Sequence, residues 1–331
     1  DPYDAVHKLV RTEGDRLIVG HSEFEPRGSP TTGEEVFDLS GPGRVYLFGA
    51  GKGVTRVAQA MESVLGDRLA GGHIVDKKGA VAVPGPALER VEVTLGAHPA
   101  PDEDCVRGCR RMLALMRGLR PEDLVFTIGA SGFSSLLTLP VPGVSLEDVR
   151  RTVYLMQIER GVPTGDLSPV RNHLDLMKGG RIAAYIHPAR AIHLLAKDPD
   201  SYEHWIYENY WVHTLPDRST YADAVGAMCK WDAWEAAPRS VREHLKRADP
   251  EYETVKPERY SRFSHRIFGL LPDEQGAWPT AKAKAAELGY QAVNLAMGLG
   301  TEARYAGQTV ATIATTIEQV GAPLEPPVVL L

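Results

Sequence analysis

A lysine inside a glycine turn packs poorly and serves well as a point charge. In VYLFGAGKGVTRVAQAM, residues 45–61, an apolar run enters the turn Gly49-Ala50-Gly51-Lys52-Gly53 and an amphipathic pattern leaves it. A strand that ends in glycines and feeds a helix aims backbone N–H groups and a positive helix end at one point, which favours phosphate or carboxylate. Lys52 adds an ammonium to that corner. The formal nucleotide motifs do not fit. A P-loop needs glycine where Tyr46 stands and Ser or Thr where Gly53 stands, and the dinucleotide fingerprint needs glycine at Val54. A purely structural corner therefore competes with an anion site built on Gly49, Gly51, Lys52 and Gly53.

Two further stretches carry related chemistry. GASGFSS, residues 129–135, offers Ser131, Gly132 and Ser134 as small groups at a second strand end, with a plain helix start capped by Ser131 as the competing reading. VRNHLDLMKGGR, residues 170–181, spaces Arg171, Lys178 and Arg181 seven and three apart, which predicts a cationic strip along one side of a helix and its end. A solvated helix face is the alternative. His98 and His173 join the candidates, against the commoner role of a hydrogen-bonded structural histidine.

The elements that must hold these groups alternate strand and helix, which reads as α/β with a largely parallel, Rossmann-like sheet, helices on both faces and a second, partial α/β region. Strands are predicted at 45–48, 73–77, 90–96, 124–129, 190–196 and 291–297, with an apolar strand at the end of the chain. Helices are predicted after Gly53, over 145–161, 168–181, 277–289 and 303–321. Ligands in open α/β sheets bind beyond the carboxyl ends of the strands, so both glycine loops would face one crevice. Residues 202–211 pack five aromatics: Tyr202, Trp205, Tyr207, Tyr210 and Trp211.

Composition excludes several classes. The 331 residues are 43% hydrophobic and 24% charged with a net charge of −6, which argues against a nucleic-acid binder. No apolar run is long enough for a membrane span. Three cysteines cannot form a paired framework, and Cys105 and Cys109, four apart, read as packing on one helix face. A cytoplasmic protein with reduced thiols is expected.

The order of the pieces resembles a known family. GRVYLFGAGKG, DKKG, GAHPAPDE, DLVFTIGASGFSSLL, SPVRNHLDLMKGGRIA and ARAIHLLAKD look like the amino-terminal domain of the glycerate 2-kinase family, sometimes labelled hydroxypyruvate reductase. The resemblance implies ATP- and Mg²⁺-dependent phosphorylation of a hydroxyl on a small hydroxy acid. It assigns catalytic roles to Lys52, Arg171 and Asp198, with Asp198 also the metal candidate. Lys178 and Arg181 match the family's basic segment, and with Gly49, Gly51, Gly53, His98, Ser131, Gly132, Ser134 and His173 from the loops they make up the candidate substrate- or phosphate-binding residues.

The departures from the family are specific. Its SGGGSALL reads Ala130-Ser131-Gly132-Phe133-Ser134-Ser135 here, and its SDVxGDD motif is reduced to KDPDSY around Asp198. The aromatic run suits either a larger, even aromatic, acceptor in place of the small hydroxy acid or packing at a domain junction or subunit interface. The expected organisation is a glycerate-kinase-like domain over 1–198, an aromatic-rich, mainly helical insert over 199–276, and a segment over 277–331 that completes the sheet. The family's smaller carboxy-terminal domain is not among these residues, so the expectation is either that the chain is part of a longer protein or that it forms an oligomer with a second subunit supplying that domain. A kinase-like ligand-binding subunit without phosphotransfer of its own is the alternative function.

Overall fold

The chain is described by a computed structural model that covers residues 1–79, 85–272, 276–296 and 301–331. It forms two compact units, Asp1–Leu271 and Pro272–Leu331. The first opens with α1 (Pro2–Leu9) and a small antiparallel sheet of β1 (Val10–Glu13), β2 (Arg16–Val19) and β3 (Glu35–Asp38).

Its main element is a six-stranded, all-parallel sheet. The strands are β4 (Val45–Ala50), β5 (Leu69–Lys77), β6 (Val91–Gly96), β7 (Leu124–Gly129), β8 (Arg190–Leu195) and β9 (His265–Gly269). They lie in the order β6-β5-β4-β7-β8-β9. The chain works outward from β4 to β6, then returns to the other side of β4 with β7 and continues to β9. The reversal falls between β4 and β7, so the turns leaving those two strands open into one crevice, as the sequence predicts.

The helices of this unit are α2 (Val54–Leu65), α3 (Glu103–Met116), α4 (Phe133–Leu136), α5 (Leu146–Tyr154), α6 (Thr164–His173), α7 (Arg181–Ile186), α8 (Tyr202–Tyr207), α9 (Tyr221–Lys230), α10 (Arg239–Arg247) and α11 (Pro257–Tyr260). Successive strand residues feed two cores. Leu47, Ile74 and Phe126 pack with Leu9, Val57 and Met61 of α1 and α2; Phe48, Val75 and Val125 pack with Cys109, Met112 and Ile182 of α3 and α7. Burial on both faces explains why these strands read as nearly continuous apolar runs. Cys105 and Cys109 are free and buried, in the packing role expected of them. A third core joins α5, α6, α9 and α10 through residues such as Val149, Val170, Met228 and Leu245.

The helix predicted over 168–181 is a correction. It starts earlier, with Pro169 inside α6, and stops at His173; α7 begins only at Arg181. Between them the Asp175 carboxylate accepts the N–H groups of Met177 at 2.8 Å and Leu139 at 3.1 Å. A side chain that takes backbone donors in this way competes with the helix ladder. The stretch predicted as one helix over 145–161 is α5 followed by a π-helical turn, Leu155–Glu159.

The second unit contains α12 (Ala277–Glu287), β10 (Gln291–Val293), α13 (Ala303–Val320) and β11 (Val328–Leu330). The strand predicted over 291–297 is realised in its first three residues, and position 297 lies outside the described residues. β10 and β11 pair in parallel as a sheet of their own rather than completing the main one. The edge of the main sheet is instead β9, from within the stretch expected to be a helical insert. Among the described residues no helix is long and apolar enough to cross a membrane.

Candidate active site

Beyond the carboxyl ends of β7 and β8 lies an open cleft of about 560 Å³. Ser131 to Ser135 form one side, Ala196 and Lys197 another, and His98, Gln157, Arg171 and Trp211 line it further round. No aspartate or glutamate is among its lining residues.

The turn at 49–53 works differently from a backbone cradle. Its donors are taken by the protein itself. Gly51 N–H donates to Val75 O at 3.1 Å and Lys52 N–H to Ser131 O at 2.7 Å. Gly53 N–H donates to Asp76 Oδ1 at 2.9 Å, and Thr55 gives Asp76 Oδ2 both its N–H at 3.1 Å and its hydroxyl at 2.6 Å. Asp76 is buried, so a carboxylate of the chain's own occupies the positive start of α2. Gly49 sits inside β4, where a Cβ would come within 2.7 Å of Ile128 O. Gly49, Gly51 and Gly53 therefore build the corner, and the group left for a ligand is the exposed Lys52 side chain.

Lys52 is brought to the second loop. A Cβ on Gly132 would meet His98 Cδ2 at 2.9 Å and Lys52 Cγ at 3.2 Å, so only glycine lets those two side chains converge there, and its φ of +83° has the same requirement. Phe133 is 1% exposed and its ring lies in the core, 5.3 Å from that of His213, so it does not crowd the loop backbone. Ser134 Oγ and His213 Nε2 share a hydrogen bond of 2.7 Å.

Arg171, near the end of α6, is partly buried at the cleft and donates from Nη2 to Gln157 Oε1 at 2.7 Å. Burial brings its guanidinium down to about 10, still fully charged at neutral pH. Neither Arg171 nor Lys52 makes an ion pair among the described residues. His98 is pushed below its ordinary value by burial and then by Lys52, Lys77 and Arg171, which keeps it neutral near pH 7.

The other expected cations turn inward. Lys178 is 2% exposed, and its Nζ donates to Leu137 O and to Asp175 Oδ2, both at 2.5 Å. Arg181 is buried and donates to the carbonyls of Asn172, Lys178 and Tyr252. His173 is buried between Pro169 O and Glu253 Oε1, each at 2.7 Å. Lys178 and Arg181 serve the interior because the segment 174–180 is not helical, so the expected strip does not form, and His173 turns inward from α6 itself. Asp198 follows the cleft residues of β8 and lies 3.4 Å from Lys197 Nζ without lining the cleft itself.

A family model described as Domain of unknown function (DUF4147) matches residues 1–246. A glycerate 2-kinase from Pyrococcus horikoshii is 30% identical over 333 residues, covering 100% of this chain and 69% of that protein. The chain belongs to the glycerate 2-kinase family. A D-glycerate 2-kinase from Thermotoga maritima is 31% identical over 290 residues, 87% of this chain and 65% of that protein. Among solved structures, a protein from Pyrococcus horikoshii OT3 superposes with a TM-score of 0.68 over 100% of this chain and 70% of its own. The glycerate kinase of Thermotoga maritima gives 0.64 over 87% and 65%. The chain thus spans roughly two thirds of these glycerate 2-kinase relatives.

Within this glycerate 2-kinase fold several cleft residues escaped the sequence reading. Gln157 reaches Arg171 from the π-helical turn, a distortion that often marks functional sites. Lys197 lies between Asp198 and Asp200 with Nζ 4.7 Å from the centroid of the Trp205 ring. Of the aromatic run, Tyr210 and Trp211 line the cleft, Trp205 is in the core, and Tyr207 is exposed. Asn209 pins that segment by accepting the N–H of Val212 at 2.8 Å and of Trp211 at 3.2 Å. An Asn two residues before a backbone donor is a readable turn signal, the one clue available in the sequence.

Proposed function

We propose that this chain is an ATP- and Mg²⁺-dependent kinase that phosphorylates a hydroxyl of a small hydroxy acid. The acceptor hydroxyl oxygen attacks the γ-phosphorus, the bond to the β–γ bridging oxygen breaks, and ADP leaves. The hydroxyl proton passes to solvent. Such transfers are catalysed chiefly by positioning and by charge on the transferring oxygens. Lys52 supplies charge to the phosphoryl group, and Arg171 holds an anionic group of nucleotide or acceptor.

The observation that carries this reading is Arg171. A charged guanidinium at a cleft with no carboxylate in its lining asks for an anionic guest. Lys52, also without an ion pair among the described residues, approaches the same loop beside Gly132. Among the described residues no cluster of three metal-ligating side chains occurs. That suits a magnesium ion held largely by nucleotide phosphates, with Asp198 the one protein carboxylate assigned to it. When bound, the ion would neutralise phosphate charge.

The test is incubation with labelled ATP, Mg²⁺ and a panel of hydroxy acids that includes D-glycerate. Transfer is expected with the parent and is expected to fall about 100-fold or more in Lys52→Ala. Undiminished transfer in that variant removes Lys52 from the mechanism.

A further inference from the structure

The cleft wall holds one side-chain pair that the transfer chemistry leaves unused. Ser134 lines the cleft, and its hydroxyl shares the 2.7 Å hydrogen bond with His213 Nε2. His213 is 2% exposed and lies against Phe133, while its backbone carbonyl accepts Gly180 N–H at 3.1 Å. Buried, packed on the Phe133 ring and bonded through Nε2 to Ser134, the ring has little freedom to turn. A hydroxyl on a cleft surface ordinarily rotates among acceptors, and a fixed ring nitrogen removes that freedom.

A serine beside a histidine also suggests a nucleophile and its base. The surroundings decide against that role. Burial, followed by the charges of Lys178 and Arg171, keeps the imidazole well below its ordinary value, so it is a poor proton acceptor. A neutral ring keeps one N–H and one lone pair, which is what orienting a hydroxyl requires.

We propose that His213 is a positioning residue, which locks the Ser134 hydroxyl so that Ser134 hydrogen-bonds the acceptor acid in the cleft. This rests on the kinase reading above and adds to it the residue that sets acceptor affinity.

The test is a double-mutant cycle with D-glycerate as acceptor and ATP as donor. Ser134→Ala and His213→Leu are each expected to raise KM for D-glycerate by about 5- to 10-fold with KM for ATP unchanged. If His213 acts through Ser134, the double variant is no worse than either single one. His213→Gln, which keeps a hydrogen-bonding side chain, recovers part of the affinity. Additive effects overturn the proposal, as does an unmoved KM for D-glycerate in Ser134→Ala, which leaves the core untouched. A loss of kcat shared equally by all the His213 variants, with lowered Tm and no rescue by Gln, also overturns it. In those cases the parent still turns over, so the kinase reading stands. A parent that transfers to no hydroxy acid of the panel defeats that reading and this one together.

Discussion

Lys52, Arg171, Lys178 and Arg181 are equivalent as letters and opposite in use. Lys178 has its own carboxylate and Arg181 its own carbonyls, whereas Arg171 lines the cleft and the exposed Lys52 side chain passes beside Gly132 of the cleft loop, both without an ion pair among the described residues. A charge kept for a ligand costs stability while no ligand is bound. Arg171→Met is therefore expected to raise Tm by a few degrees, about 1 kcal/mol, while abolishing the stabilisation that inorganic phosphate or ATP gives the parent. Thermal melts with and without phosphate read both effects. A variant that is less stable yet still responds to phosphate would move Arg171 from the anion site to the scaffold.

Elements explain why Lys178, expected from its spacing and from the family resemblance to serve a ligand, is buried instead. The seven-residue interval to Arg171 has meaning only on a continuous helix, and Asp175 interrupts that helix by taking the backbone N–H groups of Met177 and Leu139. The resulting turn buries Asp175 and Lys178 as a pair, 1% and 2% exposed. Lys178→Met is expected to cost about 3–5 kcal/mol in urea unfolding, because it strands a buried carboxylate. Adding Asp175→Leu should restore part of that loss. Phosphate affinity per folded molecule should not change in either variant, which separates this scaffold role from a ligand-binding one. The strands, by contrast, were readable from their apolar runs, and β4, β7 and β8 lie within a residue or two of expectation. β9 was missed because HRIFG is short, begins with two polar residues and sits inside a charged helical stretch.

At the scale of the whole molecule, burial sets a pH dependence. His193 and His213 are buried, and burial pushes both well below the ordinary histidine value of 6.5. Below pH 6.5 the unfolded chain takes up protons that the folded one refuses, so stability is complete above that value and declines as pH falls. Each such group contributes about 1.4 kcal/mol per pH unit in that window. Glu92, held to about 2 chiefly by Arg111, acts only below its ordinary 4.5. Tm should therefore drop between pH 7.5 and 5.5, and less so in His193→Gln; a flat profile would contradict the burial argument. Periodicity and apolar runs were enough to yield an α/β chain with two glycine turns at strand ends, because backbone geometry and hydrophobic burial act over neighbouring residues. Which cations meet a ligand was settled by partners distant in the chain. Asp76 closes the first turn, Asp175 retires Lys178, and Gly132 admits Lys52 and His98 to one point. A charge is available only if nothing folded beside it neutralises it, and that depends on packing rather than on spacing.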